Sequence, residues 1–263
     1  MANSDLSPAP ADHLRPLRYL LRTPLLLLHL SLALPVVIVA ISLPQRRDRD
    51  PRDRLDARAI RFWQGGLLRI FGLRPQRVGT PLPGAVLFVA NHVSWIDISL
   101  LHSQHAVGFV AKAEIARWPL VGWMASRAGT IYHRRGSENS LREVMGRAGD
   151  RLRDGRPVGV FPEGGTGDGR TVRVFHARIL QTAVDAQVPV QPVALCYGVN
   201  ASAQTQVAFA HGESFLRNFL RLLGDRGRSV QVHFLAPIPP VAGGRRSMAD
   251  NARTQIARTL AGP

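Results

Sequence analysis

The chain has 263 residues, 45% of them hydrophobic and 20% charged, and this composition excludes an intrinsically disordered protein. Its 34 Lys and Arg outweigh 18 Asp and Glu, and the formal charge of +16 predicts an anionic partner, either a nucleic acid or an anionic membrane surface. The single cysteine, Cys196, excludes an intramolecular disulfide and gives no support to a cysteine-ligated metal. We therefore expect a sizeable folded domain with an appended segment, in a reducing compartment.

The appended segment is apolar. Between Arg22 and Arg46, His29 is the only titratable residue, and a membrane-spanning helix needs roughly 20 apolar residues. Pro35, in the middle of this run, leaves a kinked or re-entrant segment open as an alternative. A secretory signal peptide fits less well because the run is too long and lacks a small-residue cleavage site before Arg46. We predict that residues 1–75 form a membrane-anchoring helical region, in which residues 24–44 span the membrane or lie in it.

Arginines flank the apolar run unequally, which predicts an orientation. Arg15, Arg18 and Arg22 precede it, and a larger group follows: Arg46, Arg47, Arg49, Arg52, Arg54 and Arg58. The positive-inside rule therefore places the downstream domain on the cytoplasmic side of the inner membrane, linked through a hinge at residues 45–53. The stretch 55–73 mixes apolar residues with arginines. It is either a helix in the headgroup plane with Trp63 at the interface or an amphipathic helix packed on the domain.

From Gly84 onward, apolar runs alternate with helical patterns. The predicted strands are residues 85–90, 107–111, 130–133, 158–161, 190–196 and 230–235. The predicted helices are residues 94–102, 137–152, 174–187, 214–223 and 248–260. Such alternation predicts an α/β domain over residues 76–263, with helices on both faces of a central sheet.

One segment carries a recognisable chemical pattern. His92 falls in the turn after a buried strand, and Asp97 falls in the first turns of the next helix. Catalytic residues collect at such carboxyl ends of strands, and a carboxylate can orient a histidine that acts as a general base. This pairing requires His92 to precede the helix, since residues five apart on a helix diverge by about 140°.

Two other kinds of site are weighed for this segment. A metal site could include His102 and His105, although the set lacks a recognised ligand spacing. A serine hydrolase would need a nucleophile elbow, and the sequence contains no G-x-S-x-G. On spacing alone, a histidine and an aspartate five residues apart remain a weak signal.

Four motifs that occur in order along the chain strengthen the weak signal from His92 and Asp97. Asn91-His-x-x-x-x-Asp97 resembles the first motif of the 1-acyl-sn-glycerol-3-phosphate acyltransferase family, which includes lyso-ornithine lipid acyltransferases. Residues 111–115, 118–122 and 129–134 resemble its lysine segment and second motif, residues 161–166 its third, and residues 188–194 its fourth. The resemblance spans residues 83–194. It implies a mixed central sheet flanked by helices, as in glycerolipid acyltransferases.

The resemblance also implies an O-acyltransferase activity. A fatty acyl group would pass from a thioester of acyl carrier protein or coenzyme A to a lysolipid hydroxyl, with no cofactor and no metal. His92 would take the hydroxyl proton, and Asp97 would stabilise the imidazolium. Lys112 and Arg134 match basic positions that approach the acceptor phosphate, and cations suit that role by their own chemistry. Lys112 is the only lysine in the chain.

The third motif supplies further acceptor-binding residues and also departs from the family. The resemblance assigns Glu163 as a polar anchor for the acceptor, and Gly164 and Gly165 let backbone approach it closely, with Thr166 beside them. After Glu-Gly, where relatives usually carry threonine and then often arginine, this chain has Gly165 and Thr166, followed by Gly167, Asp168 and Gly169. It also has Phe-His at 175–176 where many relatives have Phe-Lys. Losing cations and gaining Asp168 suits a headgroup with an amine.

Several functions follow from these patterns. The leading one is acylation of 1-acylglycerol-3-phosphate to phosphatidic acid, with acylation of lyso-ornithine lipid close behind. A hypothesis from another class is a non-catalytic module that docks on anionic membranes. Nucleic-acid binding is the weakest, because the arginines lie on both sides of an apolar span and show no stacking-aromatic pattern.

Overall fold

The computed structural model describes residues 12–44, 54–118, 121–134, 136–240 and 244–262. The predicted hinge at residues 45–53 lies outside these ranges, together with Arg46, Arg47, Arg49 and Arg52. The orientation derived from those arginines therefore stays a prediction.

A continuous helical segment runs from Arg15 to Ser42. It consists of α1 (Arg15–Leu28), a π-helical turn (His29–Ala33) and α2 (Leu34–Ser42). The segment has 28 residues, and an 18-residue window within it has a mean hydropathy of 2.5, so it is long and apolar enough to cross a membrane. The π-helical turn ends two residues before Pro35, whose ring nitrogen cannot donate the regular helical hydrogen bond. The chain thus accommodates this proline without ending the helical segment.

The next helix, α3 (Leu55–Ile70), packs against α2 and the π-helical turn. Ile60 and Trp63 of α3 join a buried apolar cluster with residues of α2. The Trp63 ring stacks on His29 at a centroid distance of 4.3 Å, and His29 Nε2 lies 3.0 Å from the Trp63 carbonyl. Trp63 is only 8% exposed because its face of α3 packs on α2 and the π-helical turn, so Trp63 does not lie at a lipid interface. Leu68 of α3 is fully buried in the core of the downstream domain, as in the second of the two alternatives above.

Within the described ranges, seven strands form one sheet: β1 (Leu73–Val78), β2 (Leu87–Ala90), β3 (Gly108–Lys112), β4 (Ile131–His133), β5 (Val158–Val160), β6 (Val190–Tyr197) and β7 (Arg228–Phe234). Their order is β1-β7-β6-β2-β5-β3-β4, and every neighbouring pair is parallel except β6 and β7. The sheet is therefore mixed, as predicted. Because β2, β3, β4, β5 and β6 run in one direction, their carboxyl ends meet at the same edge.

Helices cover both faces of the sheet. In chain order they are α4 (Ile96–Gln104), α5 (Val121–Arg127), α6 (Glu138–Arg153), α7 (Gln181–Asp185), α8 (Gln204–Val207), α9 (Phe215–Leu223) and α10 (Gly244–Ala261). Alternate residues of β2 enter two different cores. Phe88 packs in the core that includes α3, α4 and α9, whereas Leu87 packs in the core that includes α6 and α10.

The structure differs from the sequence prediction at the helix expected over residues 174–187. A 3₁₀-helical turn (Ala177–Leu180) followed by the short α7 replaces it. The His176 amide donates to the Pro162 carbonyl at 2.8 Å, and the Arg173 amide donates to Glu163 Oε2 at 3.0 Å. These long-range hydrogen bonds hold the preceding residues in a loop, so helical structure begins later than predicted.

Candidate active site

The turn between β2 and α4 carries the predicted histidine. Asn91 opens this turn and fastens it to β6, since its Oδ1 accepts the Leu195 amide at 2.8 Å and its Nδ2 donates to the Leu195 carbonyl at 3.1 Å. Helix α4 begins only at Ile96. His92 therefore precedes the helix, which is the arrangement that contact with Asp97 requires.

His92 and Asp97 form a hydrogen-bonded pair. His92 Nδ1 lies 2.8 Å from Asp97 Oδ2, and the same oxygen accepts the amides of Val93 at 2.7 Å and Ser94 at 2.9 Å. The Asp97 side chain is fully buried, whereas that of His92 keeps 15% of its surface exposed. With Nδ1–H donated to the carboxylate, Nε2 is the ring nitrogen that can accept a proton.

Tyr197 is a member of the site that sequence reasoning missed. Its hydroxyl donates to Asp97 Oδ1 at 2.5 Å. Burial is the largest cause that raises the Tyr197 pKa well above its usual range, and the neighbouring Asp97 carboxylate adds to it. The only sequence signal is a hydroxyl at the end of the buried strand β6. The Asp97 carboxylate is thus held by hydrogen bonds to both oxygens.

An aromatic ring sets the plane of the imidazole. Phe161, directly after β5, stacks on His92 with a centroid distance of 4.1 Å and an interplanar angle of 16°. Phe161 in turn stacks on Phe109 at 5.4 Å. Hydrogen bonding to Asp97 on one side and stacking on the other leave the ring little freedom to rotate.

Glu163, which follows β5, stabilises the turn that carries His92. Its Oε1 accepts the His92 amide at 2.8 Å, its Oε2 accepts the Arg173 amide, and the Arg173 guanidinium lies 3.5 Å away. Glu163 is 5% exposed, and burial raises its pKa while the two amides and Arg173 oppose that shift. The residue predicted to anchor the acceptor therefore holds the backbone of His92.

The glycine-rich loop after Glu163 closes on the His92 turn. The Gly167 amide donates to the His92 carbonyl at 2.7 Å, and the Arg173 guanidinium donates to the Gly165 carbonyl. Gly164 has a φ of +72°, and a Cβ there would lie 2.8 Å from His176 Nε2. Thr166 is half-buried in this loop.

The predicted cations lie farther along the same edge. Lys112 ends β3, and Arg134 follows β4, whose last residue, His133, pairs with Lys112 in the strand register. Counted from β2, these are the third and fourth strands of the parallel run. Both side chains are exposed. Hydrogen bonds join His92, Asp97 and Glu163 into one cluster, and Lys112 and Arg134 lie toward the outer end of the edge that carries it.

The histidines weighed as metal ligands lie in the core. His102 is buried and stacks on Phe109 at 4.9 Å, and burial, with Arg151 and His105 nearby, lowers its pKa to about 3. Within the described ranges, no three His, Cys, Asp or Glu side chains are grouped so as to hold a metal ion. His102 fits the description of a packed core histidine.

The chain is similar to known proteins in sequence and in fold. Residues 76–196 match the family model described as Acyltransferase. A lyso-ornithine lipid O-acyltransferase of Pseudomonas aeruginosa is 37% identical over 247 residues, covering 94% of this chain and 95% of that protein. A 1-acyl-sn-glycerol-3-phosphate acyltransferase of Neisseria gonorrhoeae is 36% identical over 56% of this chain and 58% of that protein.

The fold also matches that of a solved structure. The crystal structure of the 1-acyl-sn-glycerophosphate acyltransferase of Thermotoga maritima matches with a TM-score of 0.72, covering 94% of this chain and 96% of that one at 20% identity. The fold and the sequence matches define an enzyme of the O-acyltransferase class. Within that class, the chain belongs to the family of 1-acyl-sn-glycerol-3-phosphate and lyso-ornithine lipid acyltransferases, and its activity is the acylation of a lysolipid. The non-catalytic docking module is therefore set aside.

Proposed function

We propose that the chain transfers a fatty acyl group from an acyl thioester to the free hydroxyl of a lysolipid, with His92 as the general base. The observation that carries this proposal is the 2.8 Å contact between His92 Nδ1 and Asp97, which leaves Nε2 to accept a proton. As the acceptor oxygen attacks the thioester carbonyl, Nε2 takes its proton. The carbon–oxygen bond forms, the carbon–sulfur bond breaks, and the imidazolium returns the proton to the departing thiolate. Asp97 stabilises the imidazolium between these steps.

The donor is the thioester of acyl carrier protein or of coenzyme A, used as a co-substrate, and the reaction needs no cofactor. A thioester is already activated, so one direct transfer to the hydroxyl suffices and a covalent acyl-enzyme is unnecessary. An acidic carrier protein would also be attracted to a chain with a charge of +16.

Glu163 acts in this proposal as a positioning residue, because both of its oxygens accept amides within the site. The acceptor headgroup lies along the loop of Gly164, Gly165 and Thr166. A headgroup there reaches toward Lys112 and Arg134, since all these residues follow strands whose carboxyl ends share one edge.

We further propose lyso-ornithine lipid as the preferred acceptor. Support comes from the Pseudomonas aeruginosa match, which extends over nearly the whole of both chains. Asp168 supports it too: this exposed carboxylate lies three residues beyond Gly165, where an anion suits an ornithine amine better than a phosphate. The second candidate acceptor is 1-acylglycerol-3-phosphate, favoured by Lys112 and Arg134 and by the Neisseria gonorrhoeae match.

The enzyme works, in this proposal, at the cytoplasmic face of the inner membrane. The apolar segment Arg15–Ser42 supports membrane attachment, and the arginines that follow it support the orientation. The positive charge suits an anionic membrane surface.

Competition between acceptors tests the proposal. Purified enzyme in detergent micelles receives one acyl thioester with equimolar lyso-ornithine lipid and 1-acylglycerol-3-phosphate, and the products are separated by mass. We expect ornithine lipid to dominate, and we expect Asp168→Asn to reduce this preference while the exposed control Asp185→Asn leaves it unchanged. Phosphatidic acid as the main product would overturn the acceptor assignment, and transfer to neither lipid would overturn the activity.

A further inference from the structure

Helix α9 has an apolar stripe that the protein core covers only in part. Leu222 and Leu223 are buried, whereas Phe215, Leu216 and Leu220 are 41%, 63% and 45% exposed. Helical spacing places these side chains on one side of α9, with the exposed Arg217 beside them, whereas Arg221 is bound to Glu213 and to the Ala208 carbonyl. An exposed apolar stripe bordered by an arginine suits the boundary between lipid headgroups and acyl chains.

The exposed stripe is continuous with the apolar helix α1. The hydroxyl of Tyr19 in α1 donates to the Leu220 carbonyl at 2.8 Å. Arg18 donates to the Gly224 carbonyl at 2.9 Å, and Arg22 donates to the Leu223 carbonyl at 2.8 Å. The Leu223 and Gly224 carbonyls lie at the C-terminal end of α9, where helix geometry leaves carbonyls without helical partners, whereas the Leu220 carbonyl also accepts the Gly224 amide. A membrane that receives α1 therefore meets α9 beside it.

Aromatic side chains extend the stripe on its other side. Phe215 contacts Trp118 and Trp95 edge-on, at centroid distances of 5.4 Å and 5.6 Å. Trp118 is 42% exposed, and Trp123 of α5 is 40% exposed with the Arg127 guanidinium over its ring. Tryptophan is enriched where proteins meet the membrane interface, because its ring combines an apolar body with a polar N–H.

This surface is tied directly to the catalytic turn. Asn218, on the buried side of α9, accepts hydrogen bonds from Ser94 Oγ at 3.2 Å and Trp95 Nε1 at 3.0 Å. Ser94 and Trp95 belong to the turn that carries His92. The helix that carries the exposed stripe is therefore fixed to the turn that carries His92, so docking of α9 on a membrane would bring this turn close to the lipids.

We propose that Phe215, Leu216 and Leu220 of α9, with Trp118, form a membrane-contact surface that docks on the bilayer and presents its lipids to His92. The inference rests on the proposed acylation of a membrane lipid. It adds to the apolar N-terminal helix a second contact, located in the acyltransferase domain itself. The partner that this surface contacts is the region of an anionic bilayer where lipid headgroups meet acyl chains.

Site-specific labelling in the full-length enzyme tests this surface. Cys196 is 3% exposed and burial raises its thiol pKa to about 12, so an introduced exposed cysteine is the thiol that reacts. An environment-sensitive dye is placed in turn at Leu216→Cys, at Val36→Cys in α2 and at Val78→Cys. Val78 is 41% exposed and lies at the opposite edge of the sheet, since β1 runs against β6. The probe is vesicles of phosphatidylethanolamine and phosphatidylglycerol with or without acyl-chain nitroxide lipids.

We expect the labels at positions 216 and 36 to shift to the blue and to be quenched on vesicles, and the label at 78 to stay aqueous. The proposal would be overturned if the label at position 216 stayed in water while the label at position 36 was quenched. It would also be overturned if the enzyme failed to sediment with vesicles. A shift at 216 that depends on protein concentration without vesicles would assign the surface to a second copy and would also overturn it.

Kinetics supply a second readout. Leu216→Ser combined with Leu220→Ser should lower the rate at limiting vesicle lipid roughly tenfold, the equivalent of losing about 1.4 kcal/mol of apolar contact. The rate in detergent micelles should stay within about twofold, and Val78→Ser should change neither rate. A double variant indistinguishable from Val78→Ser on vesicles would contradict the proposal. If the parent transfers no acyl group in micelles but its label at 216 is quenched, the proposed function fails and the surface stands.

Discussion

Tyr197 and Asp97, separated by 100 positions in the chain, share a buried hydrogen bond of 2.5 Å between the phenol hydroxyl and Oδ1. The bond joins the end of β6 to the first turn of α4. Because the other oxygen of Asp97 faces His92, the geometry of the histidine depends on a strand far away in sequence. The catalytic pair is therefore a property of the assembled sheet.

Tyr197→Phe should lower kcat roughly tenfold and leave KM for the acceptor nearly unchanged. The substitution removes a hydrogen bond to a buried carboxylate while it keeps the ring, a loss worth about 1.5–3 kcal/mol in total, shared between stability and catalysis. Steady-state acyl transfer and thermal unfolding measure the two effects. Tyr132→Phe is the matched control, because its hydroxyl bonds the Gly122 carbonyl on α5. Equal kcat in parent and Tyr197→Phe would rule out a positioning role for the hydroxyl.

Glu163→Gln should lower kcat by about ten- to a hundredfold, more than it raises KM. Both Glu163 oxygens accept amides, so the amide nitrogen of glutamine would face an N–H donor and push the His92 backbone out of place. Acyl transfer over a range of acceptor concentrations separates the two parameters. Glu138→Gln, at an exposed ion pair with Arg178, serves as control. A change in KM alone would instead indicate that Glu163 binds the acceptor directly.

Gly164→Ala and Gly136→Ala should separate backbone strain from damage to the site. Both glycines have positive φ, +72° and +76°, so alanine at either position should cost about 1–2 kcal/mol of stability. At Gly136 nothing lies within 4 Å of the added carbon, whereas at Gly164 it would meet His176. Thermal unfolding should therefore show a lower Tm than the parent in both variants. The rate of acyl transfer should fall only in Gly164→Ala. Full activity in that variant would mean that the loop does not need its present shape.

The ion pair of Glu213 and Arg221 predicts a pH-dependent contribution to stability. The hydrogen bond from Arg221 lowers the Glu213 pKa from 4.5 to about 2. A carboxylate with a lowered pKa stabilises the fold above its unfolded-state pKa, and this contribution is lost as pH falls through the folded-state value. The Tm of Glu213→Gln should thus lie below that of the parent at neutral pH. The difference should shrink as pH falls from 4.5 toward 2, and a difference that is constant over this range would contradict the assignment.

The sequence predicted the interior of this fold better than its margins. Strand β2 is a continuous apolar run, and β6 is mostly apolar apart from Gln191, so sequence patterns reveal both buried strands. Strand β1 escaped prediction because it lies at the edge of the sheet. Of its six residues only Leu73 is buried, and Pro75 and two arginines interrupt any apolar pattern. Its pairing with β7 is a long-range contact that no local pattern contains.

The site residues show the same contrast between local patterns, which the sequence reveals, and long-range contacts, which it does not. His92 and Asp97 lie within one turn and the helix after it, so their spacing carried the information. Tyr197 and Asn218 reach the same turn from β6 and α9, and a hydroxyl or an amide at the end of an apolar stretch has no distinctive spacing. Glu163 was found through its motif, but its contact with the His92 amide depends on β2 and β5 being neighbours.

The most direct test of the account is acyl transfer by His92→Ala. Parent and variant are supplied with a labelled acyl thioester and both lysolipid acceptors in detergent micelles, with His211→Ala, an exposed histidine on a loop, as the control. Loss of the general base should reduce kcat by roughly two to four orders of magnitude, while thermal unfolding shows an intact fold. A folded His92→Ala enzyme that transfers acyl groups at the parent rate would contradict the assignment of His92 as the base.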